Sequence, residues 1–276
     1  MSWLAYLCRV DSRLHGGCPG SNNHNLTNSN MPDRKPTLIF APGAWYPATA
    51  FMPLTALLES DRYTCHTVAF PSIQQATTVT DLSADIAAVR ALVEPEVEKG
   101  NEVVIVVHSW AGLPVNSALD GLAKVAGGSG GGVVKLIFIS AFIPELGQSL
   151  ISAFGGEPAP WYVRDEANGT VSPSTPYDLF FHDVPGGEEW AGKLRPHAWA
   201  TKISPATGTA YSWIPSSYLF CEQDRAIPVE VQKMMVEQAR AQGAQIATES
   251  IATGHTPWLV DAQRVAGYIR REIGDA

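Results

Sequence analysis

The sequence predicts an α/β fold: a mostly parallel sheet of about six strands, with helices on both faces. Short apolar runs rich in β-branched residues recur along the chain, among them TLIFA at 37–41, EVVIVV at 102–107 and VVKLIFIS at 133–140. Between such runs lie stretches with apolar residues three and four apart, as in Leu82, Ile86, Val89, Val93 and Val97. The chain has 276 residues, 45% of them hydrophobic, which suits one large domain with a sizeable core. Strands alternating with helices build parallel sheets, and such sheets bind ligands at the carboxyl ends of their strands.

Each element has its own justification. Residues 1–35 are rich in Asn, Ser, Gly and Pro without apolar periodicity, and are expected to be a disordered or dispensable tail, with Met31 as a second candidate start. The domain is expected to span 36–276. Its first strand, 37–41, ends in a Pro-Gly turn, and residues 47–60 read as a helix with Phe51, Leu54, Leu57 and Leu58 on one side. A second strand is expected over 63–70, closed by Pro71, and an amphipathic helix over 80–99, stopped by Gly100. After the strand at 102–107, a helix is expected over 113–124, with Pro114 in its first turn. The glycine-rich stretch at 127–132 follows a helix, precedes a strand and lacks Gly-Lys-Ser/Thr, so it reads as a surface connection and not a phosphate loop. Residues 142–214 break the alternation with prolines, aromatics and short helical patterns (YDLFFHDV, GEEWAGKL), as an inserted lid would. Alternation resumes with strands at 216–222 and 245–251 and helices at 228–242 and 257–273.

Composition excludes several classes of function. A net charge of −8 with 17% charged residues argues against a nucleic-acid partner or an anionic membrane surface. Cys8, Cys18, Cys65 and Cys221 are scattered and form no CxxC pair, so neither a disulfide framework nor a metal site is expected. No apolar stretch reaches the ~18 residues of a membrane span, and the first residues, MSWLAYLCRVDSRLHGG, lack a signal-peptide pattern. A cytoplasmic protein acting on a small molecule is expected, and a homodimer is left open.

The chemistry centres on VVHSWAG at 106–112, where a buried strand runs straight into Ser109. A nucleophilic serine needs a base, a group that orients the base, and donors for an oxyanion. Ser109, Asp224 and His255 follow the third, fifth and sixth strands, so all three belong to one edge of the sheet, and their chain order is that of an α/β-hydrolase triad. Other readings exist for each. Ser109 could cap the following helix; Asp224 could pair with Arg225 or cap the helix near Pro228, with Glu222 and Glu145 as rival carboxylates; His255 could be a capping histidine. His108 is expected to pack beneath the serine, and His182 and His197 to be pocket or structural residues.

The segments FAPGAWYPATAF, VVHSWAG, CEQDRAIPVEVQKMM and GHTPWLVDAQRVAGYI resemble the α/β-hydrolases, in the branch with small esterases, plant methylesterases and hydroxynitrile lyases. The resemblance runs from about Pro36 to the carboxyl terminus and implies the α/β-hydrolase fold. It implies a serine esterase or lactonase without metal or cofactor, in which Ser109 attacks, His255 shuttles the proton and Asp224 orients the imidazole. The oxyanion hole is expected from the backbone N–H groups of Trp110 and Ala44, with Gly43 allowing a tight turn. Trp45 and the lid residues Trp161, Tyr162, Phe180, Phe181, His182, Trp190 and Trp199 are candidates to bind an apolar substrate. Three positions depart from relatives. Val107 stands where the elbow has glycine, Pro42 where many relatives carry histidine, and Thr256 where the hydroxynitrile lyases carry lysine. The last disfavours cyanohydrin cleavage but leaves lyase, cyclase or isomerase chemistry, or a ligand receptor, as alternatives.

Overall fold

The computed structural model describes residues 35–275; the expected tail except its last residue, Lys35, lies outside the described residues, and so do Met31, Cys8 and Cys18. The strands are β1 (Thr37–Ala41), β2 (Cys65–Thr67), β3 (Glu102–His108), β4 (Gly132–Ile139), β5 (Tyr162–Asp165), β6 (Thr170–Pro173), β7 (His197–Ala198), β8 (Ser216–Cys221) and β9 (Ile246–Ile251). Six of them form one sheet in the order β2-β1-β3-β4-β8-β9, every pair parallel. The continuous apolar runs arise because the central strands are covered on both faces. Alternate residues serve opposite faces: Ile39, Val103, Ile105, Val107 and Phe138 pack in one core, and Leu38, Phe40, Val104, Val106 and Ile137 in the other. The helix Ser83–Glu98 covers the first face through Val89 and Val93, and Val229–Ala241 joins it through Met235 and Val236. Met52–Ser60 and Ala262–Glu272 cover the second through Leu54, Leu58, Val265 and Ile269.

Several elements differ from the expected bounds for local reasons. The strand expected over 63–70 shrinks to β2, an edge strand paired only with β1. The helix expected over 113–124 is Gly112–Ala118, because Leu122 and Lys124 instead exchange backbone hydrogen bonds with Val133 (2.8 and 3.0 Å). The last helix is broken in two at Asp261, which adopts a non-helical backbone and accepts the Arg264 N–H at 2.9 Å as the cap of the second piece. The insertion between β4 and β8 holds an antiparallel sheet, β5-β6-β7, where only short helices were expected. Its YDLFF stretch forms one wide turn, Tyr177–Phe181.

Glu96 joins three parts of the fold. It accepts from the Thr37 hydroxyl (2.8 Å), the Asn101 amide (2.6 Å) and the Lys99 ammonium (2.6 Å), tying its helix to β1 and to the approach to β3. The hydrogen bond from Lys99 holds its carboxyl down to about 2. A carboxyl lowered in the folded state contributes stability above its unfolded value, lost as pH falls toward the folded one. Glu96→Gln is therefore expected to cost about 1–3 kcal/mol at neutral pH in urea unfolding, and to flatten the loss of stability between pH 4.5 and about 2.

Candidate active site

Ser109 sits where β3 turns into a single tight turn, Ser109–Ala111, and then the helix Gly112–Ala118. Its φ is +54°, a left-handed conformation that a non-glycine residue holds at a cost of ~1–3 kcal/mol unless its surroundings fix it. They do. The Phe142 N–H donates to the Ser109 carbonyl at 3.0 Å. A Cβ at Gly112 would lie 1.8 Å from the Phe142 carbonyl oxygen, and one at Gly43 would lie 2.8 Å from both Ser109 Cβ and His108 Nδ1. Gly43 thus serves close approach as well as the expected tight turn, in which its carbonyl accepts the Tyr46 N–H at 3.3 Å; its own φ is not in the positive range. Val107 is absorbed by the sheet, in register with Ala41 and Phe138 and fully buried.

Asp224 and His255 meet at the same edge. His255 Nδ1 lies 2.7 Å from Asp224 Oδ2, and both side chains are buried. The other carboxylate oxygen accepts the N–H groups of Ala226 (2.7 Å) and Ile227 (2.9 Å). With Nδ1 as the donor, the neutral imidazole presents Nε2 as an acceptor. Arg225 turns instead toward the Asp178 carbonyl, Glu222 is exposed, and Glu145 is exposed and accepts from Gln242 at 3.1 Å.

Two residues outside the predicted set complete this arrangement. Ser140, at the end of β4 with φ +40°, donates its hydroxyl to Asp224 Oδ2 and lies 3.4 Å from His255 Nδ1. The signal for it was a polar residue ending the buried run VVKLIFIS on the same edge. His108, expected to be mere packing, accepts the Gly43 N–H at 3.2 Å through Nδ1 and so donates from Nε2 to the His255 carbonyl at 3.0 Å. Burial, reinforced by His255, pushes its pKa well down and keeps it neutral. His108 therefore connects the loop after β1, the serine turn and the histidine loop. Among the described residues no hydrogen bond joins Ser109 directly to His255; the ring of His108, the residue before the serine, has its centroid 4.6 Å from that of His255.

A narrow cavity opens at Ser109, with about 20 Å³ of room for the centres of water-sized molecules, space for about one water. Ala44, Trp45, Trp110, Trp161, Tyr162 and Phe180 line it, and so do Phe142, Leu150, Phe154, Ala226 and Ile227, which sequence reading did not single out. The Ala44 N–H donates no hydrogen bond among the described residues, and Trp110 is the second residue of its turn, where N–H groups lack an intrahelical acceptor. Phe181, His182, Trp190 and Trp199 lie outside the lining. Phe181 packs on Tyr46, with ring centroids 5.7 Å apart. His182 abuts Gly254. Trp190 lies under Lys193 at 4.0 Å, and Trp199 under Arg164 at 4.2 Å. Among the described residues no group of three or more His, Cys, Asp or Glu side chains could hold a metal ion, and no helix is long and apolar enough to cross a membrane.

The elbow yields a direct test. Gly112→Ala is expected to destabilise the protein by at least ~1–3 kcal/mol in urea unfolding, because the added methyl collides with backbone and not with a yielding side chain.

Comparisons with known proteins agree with this architecture. An alpha/beta hydrolase of Aspergillus novofumigatus is 29% identical over 248 residues, covering 88% of this chain and 98% of that protein. A probable hydrolase of a Phoma species is 29% identical over 233 residues, covering 81% and 92%. In fold the chain is similar to a pyrethroid hydrolase from Sphingobium faniae (TM-score 0.71, 16% identity, 87% and 97% covered). It is similar also to polyneuridine aldehyde esterase (TM-score 0.69, 20% identity, 87% and 100% covered). The model of the alpha/beta hydrolase family matches residues 38–267, and the chain belongs to that family.

Proposed function

We propose that this protein is a serine hydrolase that cleaves a carboxylic ester or lactone of a small, largely apolar substrate. The observation that carries the reading is the left-handed Ser109 at the floor of an aromatic cavity, on the sheet edge that also bears the 2.7 Å pair of His255 and Asp224. Ser109 Oγ attacks the carbonyl carbon while its proton passes to His255 Nε2. The developing oxyanion accepts from the N–H groups of Ala44 and Trp110. Asp224 holds the tautomer and stabilises the imidazolium, which then protonates the leaving alkoxide. Water, deprotonated by His255, releases the acyl group and regenerates Ser109. The contact between Ser109 and His255 tightens on substrate binding, as catalytic hydrogen bonds commonly do.

The cavity holds about one water, so substrate enters as the insertion moves outward, and the rings of Trp45, Trp161 and Phe180 favour apolar groups. Esterase and hydrolase names among the structural neighbours support the same chemistry. The narrow, largely aromatic lining of the cavity supports a second reading, a lyase, cyclase or isomerase on the same fold. Incorporation of ¹⁸O from labelled water into the acid product separates the two, since only hydrolysis takes it up.

Fluorophosphonate labelling of the purified protein is expected to map to Ser109 and to vanish in Ser109→Ala; label elsewhere, or none on the folded protein, overturns the reading. On a responsive aryl ester, Asp224→Asn is expected to lower kcat by about 10⁴-fold. Ser140→Ala, which leaves the pair intact but removes one donor to Asp224, is expected to lower kcat about tenfold.

A further inference from the structure

Lys202, in the insertion's helix Ala200–Ile203, is fully buried, with its ammonium 4.9 Å from the ring centre of Trp45 and 4.7 Å from that of Trp110. Trp110 contributes one proposed oxyanion donor, and Trp45 directly follows the other, Ala44. Lys202 Nζ lies 2.6 Å from His197 Nδ1, and His197 Nε2 lies 2.7 Å from the Ser72 hydroxyl; a protonated Lys202 donates to Nδ1 and leaves Nε2 to donate to Ser72. The Ser72 backbone N–H in turn donates to Asp85 Oδ1 at 3.0 Å. This chain crosses from the insertion to the helix Ser83–Glu98, and none of its groups has a part in the steps above. The His197 ring stands edge-on to Trp110, centroids 4.4 Å apart. Trp45 itself is strained, with φ +72°, and is held at both ends: its carbonyl accepts from Arg195 N–H (3.0 Å) and its indole N–H donates to the Val171 carbonyl (2.8 Å).

A packing role does not account for the ammonium. An apolar side chain of similar length fills the space without desolvating a charge. Burial pushes the Lys202 amine well down, the charge of Asp85 opposes that push, and Asp85 is itself raised to about 6 by burial. Two facing indoles are a favoured setting for a cation. We propose that Lys202 is a positioning residue of the active site: its ammonium, clamped between Trp45 and Trp110 and tied through His197 and Ser72 to Asp85, fixes the two backbone segments of the oxyanion hole and holds positive charge behind them. The proposal rests on the reading of Ser109 as the nucleophile.

The test compares two inhibitors of equal chain length on purified protein. The Ser109 oxygen adds to the carbonyl carbon of an alkyl trifluoromethyl ketone as its proton passes to His255, which leaves an anionic hemiketal beside an imidazolium, whereas the matching methyl ketone binds without addition. Lys202→Met is expected to weaken the trifluoromethyl ketone about tenfold, short of the hundredfold or more for a direct oxyanion donor. It is expected to lower kcat similarly and to leave KM and methyl ketone binding unchanged. Equal weakening of both ketones, or no change in either, overturns the proposal. Should Lys202→Met not fold, His197→Gln carries the same comparison, with the same selective loss expected and the same outcomes overturning it. Wild-type protein that neither labels at Ser109 nor binds the trifluoromethyl ketone more tightly than the methyl ketone sinks the nucleophile and this proposal together. A wild type that does both, beside indifferent variants, sinks this proposal alone.

Discussion

A serine in left-handed backbone at the end of a buried strand is tenable only where every neighbour denies it an alternative. Ser109 is in that position: Phe142 holds its carbonyl, Gly112 and Gly43 let two other backbones come within contact distance, and β3 is clamped between β1 and β4. The sheet supplies the rigidity. Its central strands are buried on both faces, so the turn cannot relax without pulling apolar surface from two cores at once. The strain of one residue is thus carried by the packing of the whole domain.

The same packing organises the polar side of the site. Asp224 is saturated by two backbone N–H groups, Ser140 and His255, which leaves it little freedom to choose another partner. His108 spends both ring nitrogens on holding loops, one after β1 and one bearing His255, and its burial keeps it from competing as a base. Polar groups at this edge therefore form a network whose members are mostly satisfied, the condition under which buried polarity fixes one arrangement and not several. Lys202, His197, Ser72 and Asp85 form a separate polar chain, which meets the site through the rings of Trp45 and Trp110.

What could be read from the sequence follows the range of the interactions involved. The six parallel strands were legible because a doubly buried strand is a short unbroken apolar run, and Asp224 and His255 because the strand count put them on the edge of Ser109. The short extent of edge strand β2 and the split at Asp261 were not, since each depends on which neighbour wins a particular backbone N–H. The small sheet β5-β6-β7 has strands of two to four residues, partly exposed and without alternation, so no period announces it. Ser140 and His108 were missed or undervalued because their partners are 84 and 147 residues away in the chain, and Lys202 because the rings it lies over belong to distant segments, although its partner His197 is only five residues away. The same holds for Phe181, His182, Trp190 and Trp199, where aromatic content marked the right segment but not which rings face inward.

The loop that bears His255 is bonded on both sides of that residue to the insertion. Gly254 N–H donates to Asp183 at 2.6 Å, and the Thr256 hydroxyl donates to the Phe180 carbonyl at 2.9 Å. Any outward swing of residues 180–183 wide enough to admit a guest must break one or both tethers beside the imidazole. Such an opening would free the loop's flanks while the bonds of His255 to Asp224 and to His108 stay in place, so His255 keeps two of its anchors as its surroundings loosen.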